Sequence, residues 1–230
     1  MAVRNNTKRR GAGTSSLATP AQARGTGSVR IVSGIWRRSV IPVAQANGLR
    51  PTSERVRETV FDWLVHLFGT LEGRAVLDMF AGSGAMGFEA ASRGASKVDW
   101  LDINRTGIAG IRSALARLKA PEGMTAHVTD AFVFLKKTET VYDLIVIDPP
   151  FSAELQAKAV NAALDRLAPE GLIYVESPGE LLAADVLERE GLVRVRAGAA
   201  GAVRFELLAR KESGMASLAK VSKIEKKMKG

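Results

Sequence analysis

The 230-residue sequence contains no cysteine. That excludes disulfides, a thiolate metal site and a cysteine nucleophile, and it fits a reducing compartment. Histidine occurs only at His66 and His127, one in a helical stretch and one in a strand-like stretch. Both read as structural, and no metal is expected. No apolar run approaches the roughly 18 residues that a membrane-crossing helix needs, so neither a membrane span nor a membrane partner is expected and the reading is cytoplasmic. No internal repeat is visible. Acidic residues are missing altogether from the first 50 positions.

What is present is basic at both ends. Residues 1–50 hold nine Lys and Arg, and residues 211–230 hold six lysines against two glutamates. The net charge is +9, so the stretch between the two ends is mildly acidic. Such clustering suggests a polyanionic partner met through the ends. Residues 1–27 are rich in Gly, Ser, Thr, Ala and Arg and carry little that can form a core. They read as a disordered basic arm. They lack the apolar segment of a secretory signal.

Beyond the arm the pattern becomes periodic. Val29-Arg30-Ile31-Val32 alternates like a strand. Val56, Val60, Phe61, Leu64 and Leu67 recur at helical spacing until Gly69. Residues 28–70 therefore read as a small N-terminal ribbon-and-helix module. From 71 to 210, strand-like segments at Ala75–Met79, Lys97–Asp102, Thr125–Thr129, Tyr142–Asp148 and Leu172–Glu176 alternate with helical ones near 85–93, 105–118, 131–137 and 153–167. This alternation predicts an α/β fold built on a parallel sheet. Leu192–Arg196 and Val203–Leu208 read as a closing antiparallel hairpin. Five parallel strands plus a C-terminal antiparallel hairpin is the Rossmann-like layout of class I S-adenosylmethionine methyltransferases. Residues 211–230 read as a lysine-rich tail or frayed helix.

Gly82-Ser83-Gly84-Ala85-Met86-Gly87 lies between the first of these strands and the next helix. Glycines there permit a sharp turn and close approach of a ligand to the backbone. The spacing formally matches a dinucleotide fingerprint, which points to NAD or FAD. Asp78, four residues earlier, argues otherwise: a carboxylate at that strand end repels a pyrophosphate and suits a cationic amino group, as in S-adenosylmethionine. Asp102 ends the second strand, where a carboxylate can accept from ribose hydroxyls. Asp130, followed by Ala131, is placed for an adenine edge and face. The candidate cofactor set is Asp78, Phe80, Ala81, Gly82, Gly84, Asp102, Ile103, Asp130 and Ala131.

Asp148-Pro149-Pro150-Phe151 follows the apolar strand Leu144–Ile147. An exocyclic base amine is a poor nucleophile because its lone pair is delocalised into the ring. Two fixed acceptors, the Asp148 carboxylate and the Pro149 carbonyl, can orient its hydrogens and take up developing positive charge. Consecutive prolines stiffen the loop, and Phe151 can stack on the base. All four are the candidate catalytic residues.

Three blocks carry a resemblance to a known family. They are Arg30-Ile31-Val32-Ser33-Gly34 with Trp36-Arg37, Gly48–Thr52 and Arg55–Glu58; Leu77–Gly84; and Asp148–Phe151. With these, the chain resembles the bacterial 16S ribosomal RNA guanine-N2 methyltransferases from about Val29 to Arg210. The resemblance implies methyl transfer from S-adenosylmethionine to N2 of a guanine of the 966 type in 16S rRNA. It also implies an RNA-docking and cofactor-covering role for the N-terminal module. The second strand ends Leu101-Asp102, where the family usually has Glu. The assembling small ribosomal subunit is the expected partner, and a monomer suffices.

A base inside a helix cannot reach such a pocket, so the target must be unpaired or flipped out. Arg30, Arg37, Arg38, Arg50, Arg55 and Arg57 are candidate phosphate contacts and Trp36 a candidate stacking residue. About six phosphate contacts predict a roughly thousandfold loss of affinity between about 50 and 200 mM salt. Other readings remain at this point. An adenine-N6 methyltransferase on DNA or RNA uses the same tetrad. An NAD-dependent oxidoreductase uses Gly82–Gly87 but leaves the tetrad unexplained. A silent RNA-binding protein has no need of an intact tetrad.

Overall fold

The computed structural model describes residues 27–43, 52–150 and 153–220. In chain order the elements are β1 (Gly27–Arg30), β2 (Val40–Val43), α1 (Glu54–Phe68), β3 (Ala75–Asp78), α2 (Ala85–Ser92), β4 (Lys97–Asp102), α3 (Arg105–Arg117) and β5 (Met124–Val128). They continue with α4 (Ala131–Lys137), β6 (Tyr142–Ile147), α5 (Ala153–Leu164), β7 (Leu167–Pro178), α6 (Ala184–Arg189), β8 (Leu192–Ala200) and β9 (Val203–Arg210), and a short 3-10 turn spans Gly214–Leu218. The basic arm before Gly27, and residues 221–230 of the lysine-rich tail, lie outside the described residues.

Seven strands form one sheet in the order β5-β4-β3-β6-β7-β9-β8. The first five are parallel; β9 pairs antiparallel with both β7 and β8. The expected α/β class and closing hairpin are therefore present. The order reverses between β3, which continues toward β4, and β6, which continues toward β7. In open sheets of this kind ligands sit at such a switch point, beyond the carboxyl ends of the strands. The sheet buries both faces. Val76, Trp100, Val146 and Tyr174 point to one side, and Leu77, Leu101, Ile147 and Val175 to the other.

Some boundaries differ from those read in the sequence. The fifth strand begins at Leu167 rather than Leu172, because Leu167 already pairs with Tyr142 before a register shift brings Leu172 opposite Leu144. The helix before it accordingly ends at Leu164. Helix α6 carries only six residues and one buried side chain, Leu187, too short for a helical period to show. The part of the C-terminal stretch that is described turns back onto the sheet, with Lys220 N–H donating to Val195 O at 3.1 Å.

The N-terminal ribbon is a β1–β2 pair. It shares the main core: Ile31, Trp36 and Ile41 cluster with Phe61, Phe88 and Trp100. The chain runs alongside α2, from Val29 against Ala85 to Trp36, whose N–H meets Ser92 Oγ at 2.9 Å. The fully buried Glu89 holds it midway. Its carboxylate accepts the N–H groups of Val32 (2.8 Å) and Ser33 (3.2 Å). Gly34, at φ +82°, lies so close to Ser92 that a Cβ would stand 1.8 Å from its carbonyl oxygen. The Arg30–Gly34 block is thus the clamp that fixes the ribbon over the helix that follows the glycine loop.

Candidate active site

The glycine loop joins β3 to α2. Its turn requires Gly82 and Gly84, at φ 51° and 76°. Gly87 serves packing instead: a Cβ there would lie 2.1 Å from the Trp100 indole nitrogen, which donates to Gly84 O at 3.1 Å. So the third glycine of the formal fingerprint is accounted for by a tryptophan in β4, with no need of a pyrophosphate.

Asp78 ends β3 beneath this loop. It is buried, and one of its oxygens accepts the Gly87 N–H at 3.3 Å. Burial pushes its carboxyl up to about 7, against the Gly87 hydrogen bond, and nearby Asp102 adds to the rise. Asp102 ends β4 and accepts from Gly82 N–H and from Asn104 N–H, both at 2.8 Å. It therefore fixes the loop as well as facing the crevice. Ile103 follows it, 74% exposed, an apolar side chain at the rim where a flat aromatic ligand can lie. Thr129 N–H donates to Asp102 O at 3.0 Å, which brings the β5 end beside the β4 end. Asp130 there caps α4 through the Val133 N–H at 3.0 Å, with Ala131 buried behind it. Phe80 packs partly into the core and Ala81 is buried.

Asp148 leaves the end of β6, half-buried, with Pro149 buried and Pro150 exposed. Asp78 pairs with Val146, two residues before Asp148, so the two acids stand on one face of neighbouring strands. Burial pushes the Asp148 carboxyl well above the usual range, and the charges of Glu176 and Asp78 push it the same way. Phe151 lies outside the described residues.

Glu176, Tyr174 and Thr52 were missed as site residues in the sequence. Tyr174 is fully buried, and its hydroxyl donates to Glu176 Oε2 at 2.8 Å. Thr52 Oγ1 donates to the same oxygen at 3.1 Å. Burial, with Glu176 and Asp148 beside it, holds the Tyr174 hydroxyl well above its usual range. The available signal was position: like Asp78, Asp102 and Asp148, Glu176 is an acid at the carboxyl end of a parallel strand.

The basic candidates separate. Arg30, Arg37, Arg38 and Arg55 are exposed. Arg37 and Arg38 lie in the ribbon turn near Ser92, at the end of α2 away from the glycine loop. Eight helical residues put that about 12 Å off. Two readings are corrected. Arg57 is only 2% exposed, and its guanidinium donates to Thr52 O and Arg30 O, both at 2.6 Å. It ties the start of α1 to the ribbon and cannot meet a phosphate. Trp36 is 7% exposed and sets its edge against Phe88 at 6.3 Å, so it is a core residue and not a stacking platform. Arg50 lies outside the described residues. Among the described residues no cluster of three or more His, Cys, Asp or Glu is placed to hold a metal ion, and no helix is long and apolar enough to cross a membrane.

The family described as "Conserved hypothetical protein 95" matches residues 29–209. "Ribosomal RNA small subunit methyltransferase D" of Escherichia coli is 38% identical over 192 residues, covering 83% of this chain and 94% of that relative. The protein of the same name from Haemophilus influenzae is 38% identical over 156 residues, covering 66% of this chain and 79% of its own. Among solved structures, yhhF from Escherichia coli superposes with a TM-score of 0.68 at 36% identity, over 80% of this chain and 98% of that one.

Proposed function

This chain belongs to the family described as conserved hypothetical protein 95, and from that membership we propose that it methylates ribosomal RNA of the small subunit with S-adenosylmethionine. The finer reading is transfer to the exocyclic N2 of a guanine, of the 966 type. Relatives named as small-subunit rRNA methyltransferases support the substrate class. The single observation that carries the chemistry is the placement of Asp148 on the same sheet face as Asp78, across the switch point. One acid serves the cofactor side and the other the substrate side.

The residues present fit the cofactor. Asp78 is a buried carboxylate that accepts the Gly87 N–H; a cationic amino group would offset the cost of ionising it there. Asp102 reaches the ribose position while holding Gly82. Ile103 and Ala131 offer apolar contact to an adenine. When bound, the cofactor supplies an electrophilic methyl on a sulfonium. The protein's own part is positioning. Asp148 and the Pro149 carbonyl orient the amine, and its lone pair is aimed at the methyl. The nitrogen gains positive charge as it is methylated, and the Asp148 carboxylate stabilises that charge. The product ammonium is acidic and releases its proton late, so Asp148 need not be a strong base.

The test is methyl transfer from labelled S-adenosylmethionine to small-subunit rRNA, both naked and in particles lacking the modification, followed by nucleoside digestion. Label is expected in N2-methylguanosine. Label in N6-methyladenine would retain the chemistry and overturn the base. No label with the cofactor bound would overturn the reading of the chain as an active transferase.

RNA docking is assigned to the exposed arginines of the N-terminal module. With Arg57 internal, four of the six candidates are exposed among the described residues: Arg30, Arg37, Arg38 and Arg55. Four phosphate contacts predict an affinity loss of about a hundredfold between roughly 50 and 200 mM salt, rather than a thousandfold. A filter-binding salt titration measures the slope. An unchanged slope for Arg57→Met, and a slope shallower by about one for Arg30→Met, are the expected results.

A further inference from the structure

The catalytic loop has a neighbour that the methyl-transfer chemistry leaves unused. Strands β6 and β7 run parallel, and their register ends with Ile147 opposite Val175. Asp148 and Glu176 are the next residue on each strand. They share a face, since Val146 and Tyr174 beneath them point into the same core. Parallel strands lie about 4.8 Å apart, which puts the two carboxylates side by side. Both are half-buried.

The Glu176 carboxylate is also held in place. Tyr174 donates to Oε2 from below, and Thr52, at the entrance to α1, donates to the same oxygen. Gln156 of α5 donates to the Glu176 main-chain oxygen at 2.7 Å, fixing the strand end against the helix that follows the catalytic loop. The Thr52 and Tyr174 hydroxyls do not by themselves call for a charge, because a glutamine oxygen accepts from the same groups. A carboxylate beside Asp148 and Asp78 adds repulsion, which the folded state tolerates if a ligand brings donors to it.

Guanine brings such donors. Its amine at C2 adjoins the N1–H, so two neighbouring acceptors match one edge of the base. Adenine sets a lone pair at N1 beside its amine, and that lone pair is repelled by a carboxylate. We propose that Glu176 accepts the N1–H of the target guanine while Asp148 accepts from the amine, which makes Glu176 the residue that selects guanine over adenine. The inference rests on the guanine-N2 reading and adds to it a means of reading the base. Attraction for one base and repulsion of the other act together.

The probe is 2-aminopurine, which keeps the amine at C2 but has a lone pair at N1. It is placed at the methylated position of rRNA in reconstituted small-subunit particles and compared with guanine. The wild type is expected to favour guanine in kcat/KM by about 10- to 100-fold, the effect of one hydrogen bond to a charged group. In Glu176→Gln the guanine rate falls, and the ratio of guanine to 2-aminopurine drops toward one, because the amide can donate to N1. A merely structural Glu176 would lower both rates and leave the ratio unchanged, which overturns the proposal. Equal use of both bases by the wild type overturns it too, whether or not the variant folds. If unsubstituted particles gain no N2-methylguanosine, the guanine-N2 reading itself fails, and that outcome is visible before the probe is used.

Discussion

Asp148→Ala is expected to lower the methyl-transfer rate by about a thousandfold, the upper range for removing one group that stabilises developing charge. Cofactor affinity and RNA affinity should each change by no more than a few-fold, since cofactor contact is assigned to Asp78, Asp102 and the glycine loop, and RNA contact to the ribbon arginines. The same substitution should leave the protein as stable or more stable. In the free protein Asp148 is pushed well above the usual carboxylate range, first by burial and then by Glu176 and Asp78. A buried group whose charged form is disfavoured costs the fold something that alanine does not. Thermal melts beside single-turnover kinetics test both halves. A variant that is inactive because it unfolds would contradict the account, and so would one that keeps its activity. Asp148→Asn retains an acceptor and should lie between the two.

This pattern of loss in activity with gain in stability belongs to the strand ends as a group. Asp78, Asp148 and Glu176 come from three consecutive positions across the sheet, on one face, beyond the switch point. Like charges held this close destabilise a free protein and suit one that receives cations or hydrogen-bond donors.

Much of this was legible in the sequence, for physical reasons that differ from element to element. The β–α alternation showed because buried parallel strands are continuous apolar runs and the helices between them are amphipathic. Asp78, Asp102 and Asp148 stood out as candidates because each ends such a run, and the two glycines Gly82 and Gly84 because the turn needs positive φ. Helix α6 was hidden by its length, and the early start of β7 by a register shift that no periodicity records. Arg57 and Trp36 were misread for a common reason. A guanidinium can satisfy main-chain carbonyls inside the protein, and an indole can fill a core, without any change in local pattern. Only the packing of the ribbon along α2, through Glu89 and Ser92, shows that both face inward. Glu176 was missed because its partners, Thr52 and Asp148, are distant in sequence and meet only through the sheet.

Cofactor affinity is expected to depend on pH through Asp78. Its carboxyl is raised to about 7 in the folded protein, chiefly by burial, against 3.8 for an unperturbed group. For the free protein the sign follows directly. A raised acid stabilises the fold while protonated, so its contribution is full below about 4 and is lost as pH rises through about 7. Ligand binding runs the opposite way, because the cofactor's ammonium is matched by the ionised carboxylate. Affinity should weaken about tenfold for each unit below 7 and level off above it, until the ammonium itself deprotonates near 8, the ordinary α-amino range. Titration calorimetry from pH 5.5 to 8.5 measures the curve. Asp78→Asn removes the titrating group, so its affinity should be lower by about a hundredfold at pH 7.5 and nearly flat with pH below 7. The same variant should melt higher than wild type at pH 8 and alike at pH 4. A wild-type affinity that does not change between pH 5.5 and 7 would show that the buried carboxylate does not meet the cation, and the cofactor's amino end would then have to be placed elsewhere along the β3 edge of the crevice.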